Sequence, residues 1–183
     1  MHLEGKGATR FIVDVRGNPG GAFQAAVSAA SLFLPPGSPV VTVVERAEDG
    51  SGGPAERKET FRAAKPAAGL TRRPKGVEVW IDSGSASASE IFAGAMRDNC
   101  AAALVGDTSY GKGKIQAVFG LADDAGLVVT VAQYLTPKGT AIQGVGVHPD
   151  ANLGGIPFGP LPLPGAAAFD ATVADAGATC ARE

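Results

Sequence analysis

Residues 77–105 read VEVWIDSGSASASEIFAGAMRDNCAAALV. The run Val77 to Asp82 alternates in the manner of a strand, and Ser83 to Glu90 form a turn of small residues. Ala88, Ile91, Phe92, Ala95 and Met96 then fall on one helical face, and Ala101 to Val105 make a second, buried strand. Strand-length apolar runs alternating with helical patterns predict an α/β fold with mixed sheet order.

Upstream, Phe11-Ile12-Val13-Asp14-Val15 reads as a buried strand, and Arg16-Gly17-Asn18-Pro19-Gly20-Gly21 is a dense turn signal. Phe23, Ala26, Val27, Ala30 and Leu34 give a helical stripe that Pro35-Pro36-Gly37 ends. Val40 to Val44 is strand-like. Residues 45–57 predict an exposed hairpin-like loop before a short polar strand near Glu59–Ala63, and a basic connector runs from Lys65 to Lys75. Downstream, Ile115–Leu121 and Leu127–Leu135 predict a β-hairpin around Asp123-Asp124-Ala125-Gly126. From Ala151 onward Pro, Gly and Ala dominate, which divides the chain into a core, 1–150, and an extension, 151–183, with room for one short helix.

Composition narrows the function classes. The chain has 183 residues, 45% of them hydrophobic, enough for one well-packed domain. Sixteen basic and eighteen acidic residues give a net charge of −2, so there is no electrostatic footprint for nucleic acid or an anionic membrane. No apolar run is long enough for a stable membrane span. Two cysteines, Cys100 and Cys180, exclude a disulfide-rich scaffold and a multi-cysteine zinc site; one disulfide stays open. Met1 to Gly7 lacks the apolar stretch of a secretory signal, and a strand begins at Phe11. The expectation is that the chain opens inside folded structure, as a fragment would.

Two clusters could carry chemistry. Serines 83, 85, 87 and 89 stand where a strand gives way to a helix. There a nucleophile gains from unpaired N–H groups and the positive end of the helix dipole, which can also hold an oxyanion. Ser87 and Glu90 equally have capping-box spacing, so two readings compete for one hydroxyl. The second cluster is Gly106-Asp107-Thr108-Ser109-Tyr110-Gly111-Lys112-Gly113-Lys114-Ile115-Gln116. As a phosphate loop it fails, because Gly113 replaces the Mg²⁺-binding hydroxyl and a strand pattern follows instead of a helix. Ser109 and Lys112 have the Ser-x-x-Lys spacing of penicillin-recognising enzymes, but the glycines oppose a helix and the companion motifs are missing, so that pair is set aside. Lys112 between glycines is either a solvated surface group or a desolvated base. His148, in Val147-His148-Pro149-Asp150, is more simply a turn residue than part of a triad. No residues have metal-ligand spacing, and no metal or cofactor is expected.

Four stretches together resemble the carboxyl-terminal processing (tail-specific) serine protease family. They are FIVDVRGNPGG (11–21), IDSGSASASEIF (81–92), LVGDTSYGKGKIQAVF (104–119) and LVVTVAQYLTPKGTAIQGVGVHPD (127–150), in family order. The resemblance implies a crotonase/ClpP-like α/β core and a serine endopeptidase that cuts near the free C-terminus of protein substrates through an acyl-enzyme. It makes Ser87 the nucleophile, Lys112 the base and Gln116 the residue that positions the lysine amine. It places the oxyanion-hole N–H groups at Gly21 and Ala88. It also implies an extracytoplasmic location, thylakoid lumen or bacterial periplasm, with wording in Tyr110–Gln116 closer to the photosynthetic branch. Family members usually carry a PDZ domain and an early strand before the equivalent of Phe11, and neither is expected in this chain. The alternative function is an inactive or regulatory fragment that keeps the fold and binds protein chains.

Overall fold

The computed structural model describes residues 6, 8, 10–48, 50–51, 53–65 and 76–152. In chain order these form β1 (Arg10–Asp14), α1 (Phe23–Ser31), β2 (Pro39–Glu48), β3 (Pro54–Arg62), β4 (Gly76–Ile81), α2 (Ala88–Asp98), β5 (Ala103–Gly106), β6 (Lys114–Gly120), β7 (Gly126–Leu135) and β8 (Ala151–Asn152). There are two four-stranded sheets, β1-β4-β5-β8 and β3-β2-β7-β6. Every pair in the first is parallel, and every pair in the second is antiparallel. The α/β class holds, and the mixing lies between sheets rather than within one.

β4 organises the first sheet. Its residues Val77 to Ile81 are all buried, on both faces, as a central parallel strand requires. The alternation read from the sequence does not put Glu78 in water. Its carboxylate accepts from Arg10 Nη2 (2.6 Å) and from Trp80 Nε1 (3.2 Å), so the charge is paired where it is buried. β1, expected to be buried, is instead an edge strand with Ile12 and Asp14 exposed, because β4 covers only one of its sides among the described residues. α1 and α2 pack on each other and on β2, and the core runs through Ala30, Val40, Val41, Val79, Ile81, Ile91, Met96 and Leu104. Each large apolar side chain buried there contributes about 1.5–3 kcal/mol.

The second sheet is more exposed. Phe23 of α1 stacks on Tyr134 (5.7 Å) and meets Phe61 edge-on (4.8 Å), which pins the helix to β7 and β3. The β2–β3 arms run further than the sequence suggested. β2 continues to Glu48 and β3 begins at Pro54, since cross-strand pairs such as Thr42–Thr60 and Glu45–Arg57 sustain polar strands that an apolar pattern cannot reveal. The β6–β7 hairpin forms as expected, with Asp123 and Asp124 both at positive φ in its turn. Cys100, just past α2, is disulfide-bonded. β8 carries the first sheet to Asn152, slightly past the boundary drawn at 150; the expected helix in the extension lies outside the described residues.

Candidate active site

Three turns leave the carboxyl ends of adjacent parallel strands: Val15–Ala22 after β1, Asp82–Ser87 after β4 and Asp107–Gly113 after β5. This end of a parallel sheet is where such folds place their chemistry. The turns are stitched together by short polar bonds. Asp82 Oδ1 accepts from Gly17 N–H (2.8 Å) and Gly84 N–H (2.9 Å). The Asn18 carbonyl accepts from Ala86 N–H (3.0 Å) and Ser89 Oγ (3.1 Å). Buried Ser85 donates its hydroxyl to the Val15 carbonyl (2.7 Å), and its own carbonyl takes Tyr110 N–H (2.9 Å). Arg16 clasps Asp14 through Nε (2.9 Å) and Nη2 (2.7 Å) and lies over the Trp80 ring at 5.3 Å. That hydrogen bond holds the Asp14 carboxyl below the usual carboxylate range and raises Arg16.

Ser87 sits at the N-cap of α2 with φ 54° and ψ −115°. A side chain in that region stores about 1–3 kcal/mol of strain, which the surroundings must overcome. They do so through Glu90, whose Oε2 accepts Ser87 N–H at 2.8 Å, while Glu90 N–H returns to the Ser87 carbonyl at 2.9 Å. Gly20, at φ 98°, runs so close that a Cβ there would stand 2.9 Å from Ser87 Cβ and 2.7 Å from the Ala86 carbonyl. Only glycine fits at that position.

The Gly20 and Ser87 N–H groups are both taken, the former by Asn18 Oδ1 (3.0 Å). The next N–H in each turn, Gly21 and Ala88, has no acceptor among the described residues. A Cβ added at Gly21 would meet no atom within 4 Å. Two free donors therefore flank a half-buried serine at a helix N-terminus.

Glu90 reaches beyond its own helix. It is fully buried, and its carboxylate takes four donors. Oε1 accepts Ser109 Oγ (2.6 Å) and Gly111 N–H (2.6 Å), and Oε2 accepts Ser87 N–H and Lys112 N–H, both at 2.8 Å. One oxygen thus ties the backbone of Ser87 to that of Lys112 across 25 residues of sequence. The Lys112 side chain is exposed. Gln116, on β6, is exposed on the face opposite Ile115, and no hydrogen bond joins it to Lys112 among the described residues. His148 is exposed and engages Thr108, Nδ1 to Oγ1 at 3.0 Å, rather than Ser87.

Sequence reasoning missed two members of this arrangement. Glu90 was legible as a cap but not as a bridge, because its second pair of partners comes from a distant turn. Ser109 was set aside with the Ser-x-x-Lys spacing. No helix forms at 109–113, and the hydroxyl instead serves Glu90.

The fold and these turns define a class: a parallel-sheet domain with a strained serine at a strand-to-helix turn, beside free backbone donors and a glycine-flanked lysine. The chain belongs to peptidase family S41, which it matches over residues 1–153. It is 45% identical over 148 residues to the carboxyl-terminal-processing protease of Synechocystis sp., covering 81% of this chain and 32% of that protein. It is 42% identical over 145 residues to chloroplastic carboxyl-terminal-processing peptidase 1 of Arabidopsis thaliana, covering 79% and 27%. The solved photosystem II D1 C-terminal processing protease superposes with TM-score 0.66 at 34% identity, over 83% of this chain and 36% of that one. Mature CPAF shares the fold, with TM-score 0.65 at 13% identity over 79% and 39%. The chain spans about a third of the length of these relatives. No helix among the described residues is long and apolar enough to cross a membrane.

Proposed function

We propose that this chain is the catalytic core, residues 1–150 with an extension at 151–183, of a serine endopeptidase that processes protein C-termini. The observation that supports the reading is the shared Glu90 oxygen, which accepts the backbone N–H groups of both Ser87 and Lys112, together with the two N–H groups, Gly21 and Ala88, that have no acceptor among the described residues. The neutral Lys112 amine takes the Ser87 hydroxyl proton as Oγ attacks the scissile carbonyl carbon. The oxyanion that forms accepts hydrogen bonds from Ala88 N–H and Gly21 N–H, each such donor contributing about 2.7–4 kcal/mol in the transition state. Collapse expels the amine of the C-terminal fragment, which takes the proton from Lys112. Water, deprotonated by Lys112, then hydrolyses the acyl-serine. Gln116, just past the turn on β6, is assigned the orienting of the lysine amine on the family resemblance alone, since the two side chains are exposed and unbonded to each other among the described residues.

The names of the relatives supply the substrate class, a protein or peptide with a free C-terminus, and the chloroplastic ones favour an extracytoplasmic site such as the thylakoid lumen. No cofactor enters the reaction as proposed. The test is covalent labelling of Ser87 by an acylating probe, read by mass spectrometry alongside peptide turnover. Labelling that is lost in Ser87→Ala and slowed in Lys112→Ala supports the reading. Labelling at another serine overturns it.

One observation favours a second reading. Lys112 is exposed, whereas a lysine base works best desolvated. A chain that folds, binds protein and never acylates would be the regulatory alternative, and the same probe separates the two.

A further inference from the structure

We propose that Ser109 is a positioning residue for this reaction: it fixes the Glu90 carboxylate in the one orientation that holds nucleophile and base together. The inference rests on the Ser87–Lys112 reading.

Ser109 is buried, with 6% exposure, and its hydroxyl makes two bonds of opposite sense. Val147 N–H donates to Ser109 Oγ at 2.7 Å, and a backbone amide can only donate. The hydroxyl proton is therefore left for Glu90 Oε1, 2.6 Å away, a short charge-assisted bond. The direction of that bond is set by the Gln143–Val147 loop. Ser109 N–H reaches the Val147 carbonyl (3.1 Å), Gly144 N–H reaches the Gly111 carbonyl (2.9 Å), and Gly113 N–H reaches Gln143 Oε1 (3.0 Å). The lysine turn is thus held between Glu90 on one side and this loop on the other, and Ser109 is the side chain that bonds to both.

A carboxylate can rotate about its last bond unless both oxygens are held. In Glu90, Oε1 is held by Ser109 and Gly111, and its orientation dictates where Oε2 presents itself to Ser87 and Lys112. Removing the Ser109 hydroxyl leaves Val147 N–H without its acceptor and Oε1 with one donor. The buried carboxylate is then free to turn toward its remaining partners, and the separation of Ser87 from Lys112 changes with it. The displacement falls on Ser87 and Lys112, which the proposed reaction uses in its chemical step, so the effect is expected in kcat rather than in substrate capture.

The experiment compares wild type, Ser109→Ala and Ser109→Cys for kcat and KM on a peptide with an apolar free C-terminus, for the rate of Ser87 labelling by an acylating probe, and for thermal unfolding. Sub-ångström to 1 Å displacement of reacting groups costs up to about 100-fold, so kcat and labelling rate should fall about 10- to 100-fold while KM moves less than about threefold. Ser109→Cys keeps the volume but donates weakly, and the same fall is expected from it in a folded protein. A folded Ser109→Ala or Ser109→Cys with near-normal kcat overturns the proposal. So does a loss of labelling that merely tracks the unfolded fraction, or failure of both variants to fold, since Ser109 would then serve the fold alone. Lys112→Ala is run in parallel. If it keeps full turnover, the Ser–Lys reading has failed, and Ser109 is judged by the rate of Ser87 labelling alone.

Discussion

Two helices begin beside the same point in this molecule, and their N-termini are built in opposite ways. α1 starts after Gly20-Gly21 at Ala22, with no side-chain cap and no acidic residue in its first turn. α2 starts at a strained Ser87, with Glu90 in its first turn and a carboxylate bond back to the Ser87 N–H. A cap satisfies backbone donors and stabilises the helix; its omission leaves those donors open. α1 forgoes the cap, and just before it Gly21 N–H has no acceptor among the described residues. α2 has the reciprocal Ser87–Glu90 bonds at its start, and Ala88 N–H has no acceptor among the described residues. The difference teaches that the two helix starts at this junction are secured by different means, one through a buried carboxylate and one without any side-chain cap.

The largest expected effect breaks the α2 side. Ser87→Ala and Ser87→Gly should each lower kcat by several orders of magnitude, about 10⁴-fold or more, as loss of a covalent nucleophile does. Ser87→Gly should in addition raise unfolding stability by about 1 kcal/mol, because glycine accepts φ 54° without strain. Denaturant titration of both variants separates the two effects, and a destabilised Ser87→Gly would show that the backbone is not strained. Next comes Lys112→Arg. The guanidinium stays protonated at any working pH, so turnover should drop at least about 1,000-fold while the Glu90 bond to the backbone N–H keeps the turn in place. Steady-state rates from neutral to high pH test this; near-normal turnover removes Lys112 as the base.

A third comparison sets Gly20 against Gly21. Gly20→Ala forces a Cβ to 2.7 Å from the Ala86 carbonyl at a φ of 98°, and should cost about 2–4 kcal/mol of stability together with most activity. Gly21→Ala meets no atom within 4 Å and should leave the thermal midpoint within a few degrees. Calorimetry on the pair decides whether the crowding lies where the distances put it.

The fourth sharpens the α1 side by restoring its cap. Ala22→Ser should stabilise the protein by about 0.5–1 kcal/mol with turnover little changed. Ala22→Asp should gain the same stability but slow turnover several-fold, because its charge opposes an oxyanion close by. Equal turnover in the two variants would mean that no negative charge develops near Gly21. The smallest effect is in acid. Asp14 is held below the usual carboxylate range mainly by its Arg16 hydrogen bond, so its contribution is complete above the unfolded value near pH 4 and is lost as pH falls through the lower, folded value. The stability gap between wild type and Asp14→Asn should therefore close below about pH 4, and a gap that widened there would contradict the pairing.

Much of this was legible without coordinates. The apolar run at β4, the small-residue turn and the helical spacing that follows identify a strand-to-helix junction, because period and turn chemistry are local properties. The Gly-Lys-Gly turn and the Asn-Pro-Gly-Gly turn were visible as places where backbone must pass closely. Glu78 shows where local reading stops. Alternation predicts an outward carboxylate, yet a second layer and Arg10 bury and pair it. The polar arms of β2 and β3 likewise depend on cross-strand partners that no local pattern announces.

The amino-acid sequence by itself determined which residues could react: a serine at a helix start, a lysine between glycines, and glycines whose missing Cβ lets other chain approach. It also determined that they would stand at strand ends, since apolar period and turn residues set those boundaries. The tertiary structure decided that these ends meet. Parallel pairing of β1, β4 and β5 brings three carboxyl ends to one edge, and only there can Glu90 take donors from residues 87, 109, 111 and 112 at once. A buried carboxylate finds its partners through space, and separation along the chain carries no record of them.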